Sequence, residues 1–166
     1  MEIGLALGSN LGDRLENLRQ AASKVDLLSG AKTIARSKVY ETEPVGVPSQ
    51  FTDKPFLNAI LIVTYQEPAA LAAQLHVIET LMGRTRSGMR NEPRLIDIDI
   101  IYAAGMIIQR DEITIPHPRW SERRFVVQPL ADVRPDMRIQ GQNRTVQEVL
   151  LSLPERPKVV PFNQQW

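Results

Sequence analysis

Cysteine is absent from the 166 residues, which excludes disulfides, thiolate chemistry and sulfur-ligated zinc or iron. Aromatic residues are scarce, at 5% of the chain, so the interior has to be built mainly from aliphatic side chains. An excess of either charge is lacking as well, with 20 Lys and Arg against 19 Asp and Glu. Bulk charge therefore gives no case for a nucleic-acid binder or a polybasic membrane protein. No apolar run approaches the roughly 20 residues of a membrane span. The opening Met1-Glu2-Ile3-Gly4 enters a strand pattern without the basic segment and apolar run of a secretion signal. These absences lead to the expectation of a soluble, cytoplasmic protein forming one domain over residues 1–166, a length that suits a single core and is short for two.

Lysine is sparse in its turn, since 15 of the 20 cations are arginine. Arginine presents a planar fork that matches carboxylate and phosphate oxygens, whereas lysine is a looser point charge. The periodicities predict a first strand over 2–8, with Ile3, Leu5 and Leu7 on one face and Gly4, Ala6 and Gly8 on the other. A turn at Ser9-Asn10-Leu11-Gly12-Asp13 leads into an amphipathic helix over 13–28. Strands follow at 33–42 and 57–65, then a helix opened by Pro68, striped by Leu71, Leu75, Ile78 and Met82, and closed by Gly83. A fourth strand at 95–102 and a hairpin at about 106–109 and 112–115 come next. The proline-rich final third adds a short helix near 145–152, opened by a Thr145 to Glu148 capping box. The order β-α-β-β-α-β predicts an α+β fold with a ferredoxin-like core, here with an added hairpin and C-terminal extension. Two connections, 43–56 and 84–94, are too long for plain turns and flank the third and fourth strands, a placement typical of functional loops.

Leu95-Ile96-Asp97-Ile98-Asp99-Ile100-Ile101 carries the most chemical information. Alternate strand residues share a face, so Asp97 and Asp99 point together, roughly 7 Å apart, inside an isoleucine run. Aspartate is disfavoured in strands, and two uncompensated carboxylates would repel one another and lose hydration. One reading is an edge strand with a wet face. The other is a pair that binds magnesium, which commonly takes one or two carboxylates together with substrate phosphates. Arg84, Arg86, Arg90 and Arg94 lie just upstream, opposed only by Glu92. Alone they fit a solvated basic loop; beside the aspartates they complete the parts needed for phosphoryl transfer. No phosphate-binding glycine loop of a standard kind is present, and Gly8-Ser9-Asn10-Leu11-Gly12 reads as a strand-to-helix turn.

The sequence also resembles a family: Gly83-Arg84-x-Arg86 followed by Pro93-Arg94-x-x-Asp97-Ile98-Asp99-Ile100 is similar to the hallmark of the 6-hydroxymethyl-7,8-dihydropterin pyrophosphokinases. The similarity covers most of the chain and includes Ala6-Leu7-Gly8-Ser9-Asn10-Leu11-Gly12, Tyr40-x-Thr42-x-Pro44-x-Gly46, Phe56-Leu57-Asn58-Ala59, Ile115-Pro116-His117-Pro118 and Arg123-x-Phe125-x-x-x-Pro129-Leu130. The resemblance implies an enzyme of folate synthesis that moves the β,γ-diphosphate of ATP to the pterin hydroxymethyl oxygen and releases AMP. It implies two Mg2+ ions held by Asp97 and Asp99. It places Arg84, Arg86, Arg94, His117 and Arg123 against ATP or its phosphates, with Glu79, Ile100 and Thr114 near the nucleotide. Arg84, Arg94, Asp97 and Asp99 are the implied catalytic set. Phe56 and Phe125 should sandwich the flat pterin, Asn58 should hydrogen-bond its edge, and Thr42, Pro44 and Val45 should border it. The implied partners are the small molecules ATP and 6-hydroxymethyl-7,8-dihydropterin, acting on a monomer without nucleic acid or membrane.

The chain departs from the family pattern at Asn91 and Glu92, where an aromatic residue and glycine are usual, at His76, where glutamine is common, and at Ser87, where some members carry lysine. Three other functional classes fit parts of the pattern. An RNA-binding module would need an aromatic-rich sheet motif in place of the aspartates. A ligand-binding regulatory domain would leave the aspartate pair unexplained, and another phosphoryl-transfer enzyme would release different products.

Overall fold

The computed structural model describes residues 1–44, 54–84 and 93–166. Its elements in chain order are β1 (Glu2–Ser9), α1 (Arg14–Asp26), β2 (Lys32–Arg36), β3 (Val39–Thr42), β4 (Phe56–Thr64), α2 (Pro68–Leu81), β5 (Asp97–Ala103), β6 (Ile108–Arg110), β7 (Ile113–Ile115), a short 3-10 turn at Trp120–Glu122, α3 (Arg124–Val133), α4 (Val146–Ser152) and β8 (Val159–Phe162). Helices and an antiparallel sheet combine in an α+β arrangement. The main sheet runs β5-β1-β4-β3-β8, with β2 also paired to β4, while β6 and β7 form a separate hairpin.

The alternation of β1 decides the two layers. Ile3, Leu5 and Leu7 enter a core shared with Leu15, Leu18, Ala21, Ala22 and Val25 of α1 and with Leu71, Leu75 and Ile78 of α2. On β4 the residues Leu57, Ala59, Leu61 and Val63 join this core, whereas Ile60 and Ile62 face a second cluster with Val126, Val127 and Leu130 of α3 and Val149 and Leu150 of α4. The second face is only partly covered by helix, and the site occupies the part left open. Small residues of β1, Ala6 and Gly8, line its floor, where a Cβ added at Gly8 would meet Asn58 Oδ1 at 3.2 Å.

The expected strand over 33–42 is broken into β2 and β3. From Arg36, opposite Leu61, to Tyr40, opposite Asn58, the chain advances one residue more than β4 does. Ser37 absorbs the extra residue: its hydroxyl accepts from the Ile60 amide at 2.8 Å and donates to the Lys38 carbonyl at 2.7 Å. A buried hydroxyl thus replaces the ladder bonds a bulge removes. β2 itself shifts register between Thr33 and Ala35, and a further irregularity between Gly4 and Leu5 leaves Ile101 as the extra residue of β5, so Ile98 and Ile100 pack in the first core and Ile101 and Tyr102 in the second. Two further elements, α3 and β8, are additions to the expected pattern. Pro129 lies inside α3, where the usual reading of proline as a helix breaker hides the helix.

Candidate active site

The Ser9-to-Asp13 turn is more than a connection. Asn17 Nδ2 donates to Ser9 Oγ at 3.1 Å and to the Leu11 carbonyl at 2.8 Å, which fixes the turn from α1. Asn10 then grips the backbone of Arg94 twice. Its Oδ1 accepts from the Arg94 backbone amide at 2.8 Å, and its backbone amide donates to the Arg94 carbonyl at 3.2 Å. The guanidinium is thereby aimed across the end of β5. Arg94 Nη2 reaches Asp97 Oδ2 at 2.7 Å, while Arg94 Nε is buried without a hydrogen-bond partner among the described residues. A buried donor left unpaired is costly, and a ligand oxygen would relieve it.

Asp97 is held from a second side. Arg84, just past the end of α2, donates from Nη1 to Asp97 Oδ1 at 2.5 Å and also pairs closely with Glu79. Glu79 is buried, and its Oε1 accepts from the Ile98 amide at 2.8 Å, so one carboxylate fastens α2 to β5 and orients Arg84. Glu79, Arg84, His76 and Thr80 line a smaller cavity of about 220 Å³.

Asp99 is less well compensated. Burial and the neighbouring Asp97 carboxylate push its carboxyl up to about 6, against the weaker pull of Arg123 and Arg94. Arg123 Nη1 lies 3.9 Å from Asp99 Oδ2, at the edge of contact. A cation beside Asp99 would meet the charge that these arginines meet only in part. Among the described residues, no group of three or more His, Asp or Glu forms a metal cage. Magnesium does not need one, because phosphate oxygens and waters complete its octahedron. Two hard carboxylates on one strand face fit such a shared cation.

His117 sits beside this end of the strand because its amide donates to the Ile101 carbonyl at 2.9 Å. The Arg119 amide donates to His117 Nδ1 at 3.1 Å, so the neutral ring carries its proton on Nε2. Burial, then the Arg123 charge, hold the imidazole below its ordinary range. Nε2 faces Arg123 Nη1 at 3.4 Å, two donors side by side that suit an anionic oxygen.

A cavity of about 310 Å³ gathers Thr42, Phe56, Asn58, Arg94, Asp97, Asp99, Arg123 and Phe125 along the open face. The guanidinium of Arg94 lies 5.9 Å from the centre of the Phe56 ring and that of Arg123 lies 5.8 Å from Phe125. Asn58 Nδ2 donates to Thr42 Oγ1 at 2.7 Å, which fixes which way the amide points. The sheet register sets the spacing: Asp97 is opposite Gly8, Gly8 opposite Asn58, and Asn58 opposite Tyr40. With neighbouring strands about 4.8 Å apart, Asp97 and Asn58 lie roughly 10 Å apart across the sheet.

Other residues from the sequence reading fall elsewhere. Glu79 and Arg84 belong to the smaller cavity, and His117 touches the larger one through Arg123. Ile100 is buried in the first core, facing away from the cavity. Thr114 is exposed on β7, opposite Gln109. Pro44 is half-buried and is not among the residues lining the cavity. Arg86 and Val45 lie outside the described residues, as do Arg90, Asn91, Glu92 and Ser87. The structure adds Glu43, Arg119, Glu122, Arg124 and Pro157 to the larger cavity. Arg119 and Glu122 had a signal in their position between His117 and Arg123; Pro157 had none.

The family model of 7,8-dihydro-6-hydroxymethylpterin-pyrophosphokinase matches residues 4–135. A Bacillus subtilis protein named 2-amino-4-hydroxy-6-hydroxymethyldihydropteridine pyrophosphokinase is 40% identical over 130 residues, covering 78% of this chain and 75% of the relative. A Methylorubrum extorquens protein of the same name is 38% identical over 150 residues, covering 90% and 91%. Longer relatives match as well, such as the Schizosaccharomyces pombe folic acid synthesis protein fol1, 34% identical over 92% of this chain and 20% of its own length. The chain spans only 17–27% of the length of such relatives. Among solved structures, the Plasmodium falciparum HPPK-DHPS crystallised with pteroate shares the fold at a TM-score of 0.69 and 15% identity, over 90% of this chain and 42% of that one. With the match running through β1, both arginines at Asp97 and the aspartate pair itself, the chain belongs to the 7,8-dihydro-6-hydroxymethylpterin-pyrophosphokinase family.

Proposed function

We propose that this chain transfers the terminal diphosphate of ATP to the hydroxymethyl group of 6-hydroxymethyl-7,8-dihydropterin, releasing AMP, as a step of folate synthesis. The observation that carries the proposal is one cavity that holds the Asp97 and Asp99 carboxylates on one side and Phe56, Phe125 and Asn58 on the other, with the guanidiniums of Arg94 and Arg123 reaching the two rings. A flat heterocycle with polar edges suits two aromatic faces and a directed amide. Thr42 borders it through its bond to Asn58, and the family resemblance adds Pro44 and Val45 to the residues expected near the ring. A nucleotide triphosphate suits the opposite end, where arginine forks meet phosphate oxygens. Glu79 serves the nucleotide side through Arg84, which it orients, and the family resemblance adds Arg86, Thr114 and Ile100 to the residues expected near the nucleotide.

In this reading the pterin hydroxyl oxygen bonds to the β-phosphorus as the bond to the α–β bridging oxygen breaks. AMP departs with that oxygen, and the hydroxyl proton passes to solvent. Arg94, Arg84 and Arg123 bind the phosphates and stabilise charge that develops on the transferred group. His117 donates from Nε2 to the same oxygens. Asp97 and Asp99 would hold Mg2+, which supplies neutralisation of phosphate charge and polarisation of the reacting oxygens. The side chains of Phe56, Asn58 and Phe125 orient the ring so that its hydroxymethyl group faces β5.

The strand order supports a ferredoxin-like core within a single domain over 1–166, acting as a cytoplasmic monomer on two small molecules. Product identification by phosphorus NMR tests the reaction class: AMP with a diphosphorylated pterin supports this reading. Release of pyrophosphate or cleavage of nucleic acid would replace it with a different phosphoryl transfer.

A further inference from the structure

The family match ends at residue 135, yet the chain beyond it returns to the cavity. Pro157 lines the cavity together with Thr42, Glu43, Arg124 and Phe125. Its end of the cavity is fixed by pairing, because β8 runs antiparallel to β3 with Val159 opposite Thr42 and Val160 opposite Glu41. Pro157 precedes Val159 by two residues, so it lies past the Thr42 edge, on the side of the cavity away from Asp97.

The segment carrying Pro157 is anchored on both flanks. Upstream, Arg124 Nη1 donates to the carbonyls of Leu153 at 3.1 Å and Pro154 at 3.3 Å. Downstream, after the β8 pairing, Arg19 donates to the Gln165 carbonyl at 2.7 Å and the Trp166 indole donates to the Ser37 carbonyl at 2.9 Å. Arg36 also lies 5.4 Å from the Trp166 ring centre. Those anchors reach β3, whose Thr42 lines the site, and beyond it the Ser37 bulge and α1. Fixing the strap in advance spares a ligand the ordering that a loose wall would need. The proline ring itself is apolar and rigid in φ, suited to limiting size rather than to hydrogen bonding.

We infer that residues 154–162 form a fixed wall of the heterocycle end of the cavity and that Pro157 determines how large a ring or ring substituent is accepted there. The inference rests on the proposed pterin reading of that cavity. Removing the proline ring should weaken ligand binding by about fourfold for each methylene that touches the heterocycle, while a larger side chain should block the site.

The test uses the full chain as wild type, Pro157→Gly and Pro157→Trp. Each is titrated with 6-hydroxymethyl-7,8-dihydropterin by ligand fluorescence and, separately, with a non-hydrolysable ATP analogue and Mg2+. The expected result is a Kd for pterin raised about fourfold or more in Pro157→Gly and tenfold or more in Pro157→Trp, with the affinity for the ATP analogue and the Tm unchanged. Wild-type pterin affinity in Pro157→Gly would overturn the inference, as would a parallel loss of both ligands with a fall in Tm. If Pro157→Trp does not fold, Pro157→Gly decides alone. Failure of the wild type to bind pterin would instead overturn the pterin reading, and the inference with it.

Discussion

Arg94 Nη2 stands 2.7 Å from Asp97 Oδ2, so a cation suited to phosphate and a carboxylate suited to magnesium are paired with each other at the floor of one cavity. Arg84 repeats the arrangement from the other side at 2.5 Å. These charges can regroup without moving the backbone: arginines to phosphate, aspartate to metal. Since Asn10 fixes the Arg94 backbone, only side chains need to turn.

Arg94 should therefore matter most where charge develops on the transferred group. Arg94→Ala is expected to lower kcat about a hundredfold or more, with a smaller change in the KM for pterin. Steady-state kinetics with each substrate varied checks this. A pure pterin KM defect would assign Arg94 to ring binding instead.

Asp97→Ala and Asp99→Ala are each expected to abolish turnover, by at least about a hundredfold, while both still fold. Asp99→Ala should keep a Tm close to that of the wild type, and Asp97→Ala should have a lower one because Arg84 and Arg94 lose their partner. Neither side chain fills the hydrophobic core; the isoleucines alternating with them do. Near wild-type turnover in either variant would remove the metal assignment.

Glu79 is buried and serves three partners, the Ile98 amide, Arg84 and His76. Glu79→Ala is expected to cost about 2–4 kcal/mol of stability, because an amide and a guanidinium lose their acceptor together. Glu79→Gln keeps an acceptor for the amide and should cost less. Urea denaturation compares the two, and an equal loss in both would show that charge alone decides.

Away from the site, the hydrogen bond from Arg134 holds the Glu2 carboxyl below its ordinary 4.5, against an opposing effect of burial; the Tyr102 hydroxyl adds a second donor. A carboxyl lowered on folding contributes stability that is full above the unfolded pKa and is lost as pH falls through the folded one. Glu2→Gln should cost about 1 kcal/mol at pH 7, and the difference from wild type should shrink as pH falls below 4.5. Denaturation curves from about pH 2.5 to about pH 7 follow it. A difference that does not vary with pH would contradict the ionic role of Glu2.

Much of this arrangement is legible in the sequence, because β1 and β5 state their faces plainly. Ile3, Leu5 and Leu7 alternate with small residues, and Asp97 and Asp99 alternate with isoleucine. The break at Ser37 was not legible, since a serine that satisfies a bulge looks like any polar strand residue. Nor was α3, where Pro129 sits within a helix whose cost is met by tertiary packing of Val126, Val127 and Leu130. The role of Asn10 in holding Arg94 depends on a contact between residues 84 positions apart, and Pro157 reaches the cavity only through the pairing of β8 with β3. Local pattern carries no information about such long-range meetings.

The most direct measurement is AMP release from ATP and Mg2+ with and without 6-hydroxymethyl-7,8-dihydropterin. The expected result is AMP that appears only with the pterin, in equal amount to diphosphorylated pterin. Folded protein that binds both ligands and releases no AMP, or releases it independently of pterin, would contradict the proposed reaction.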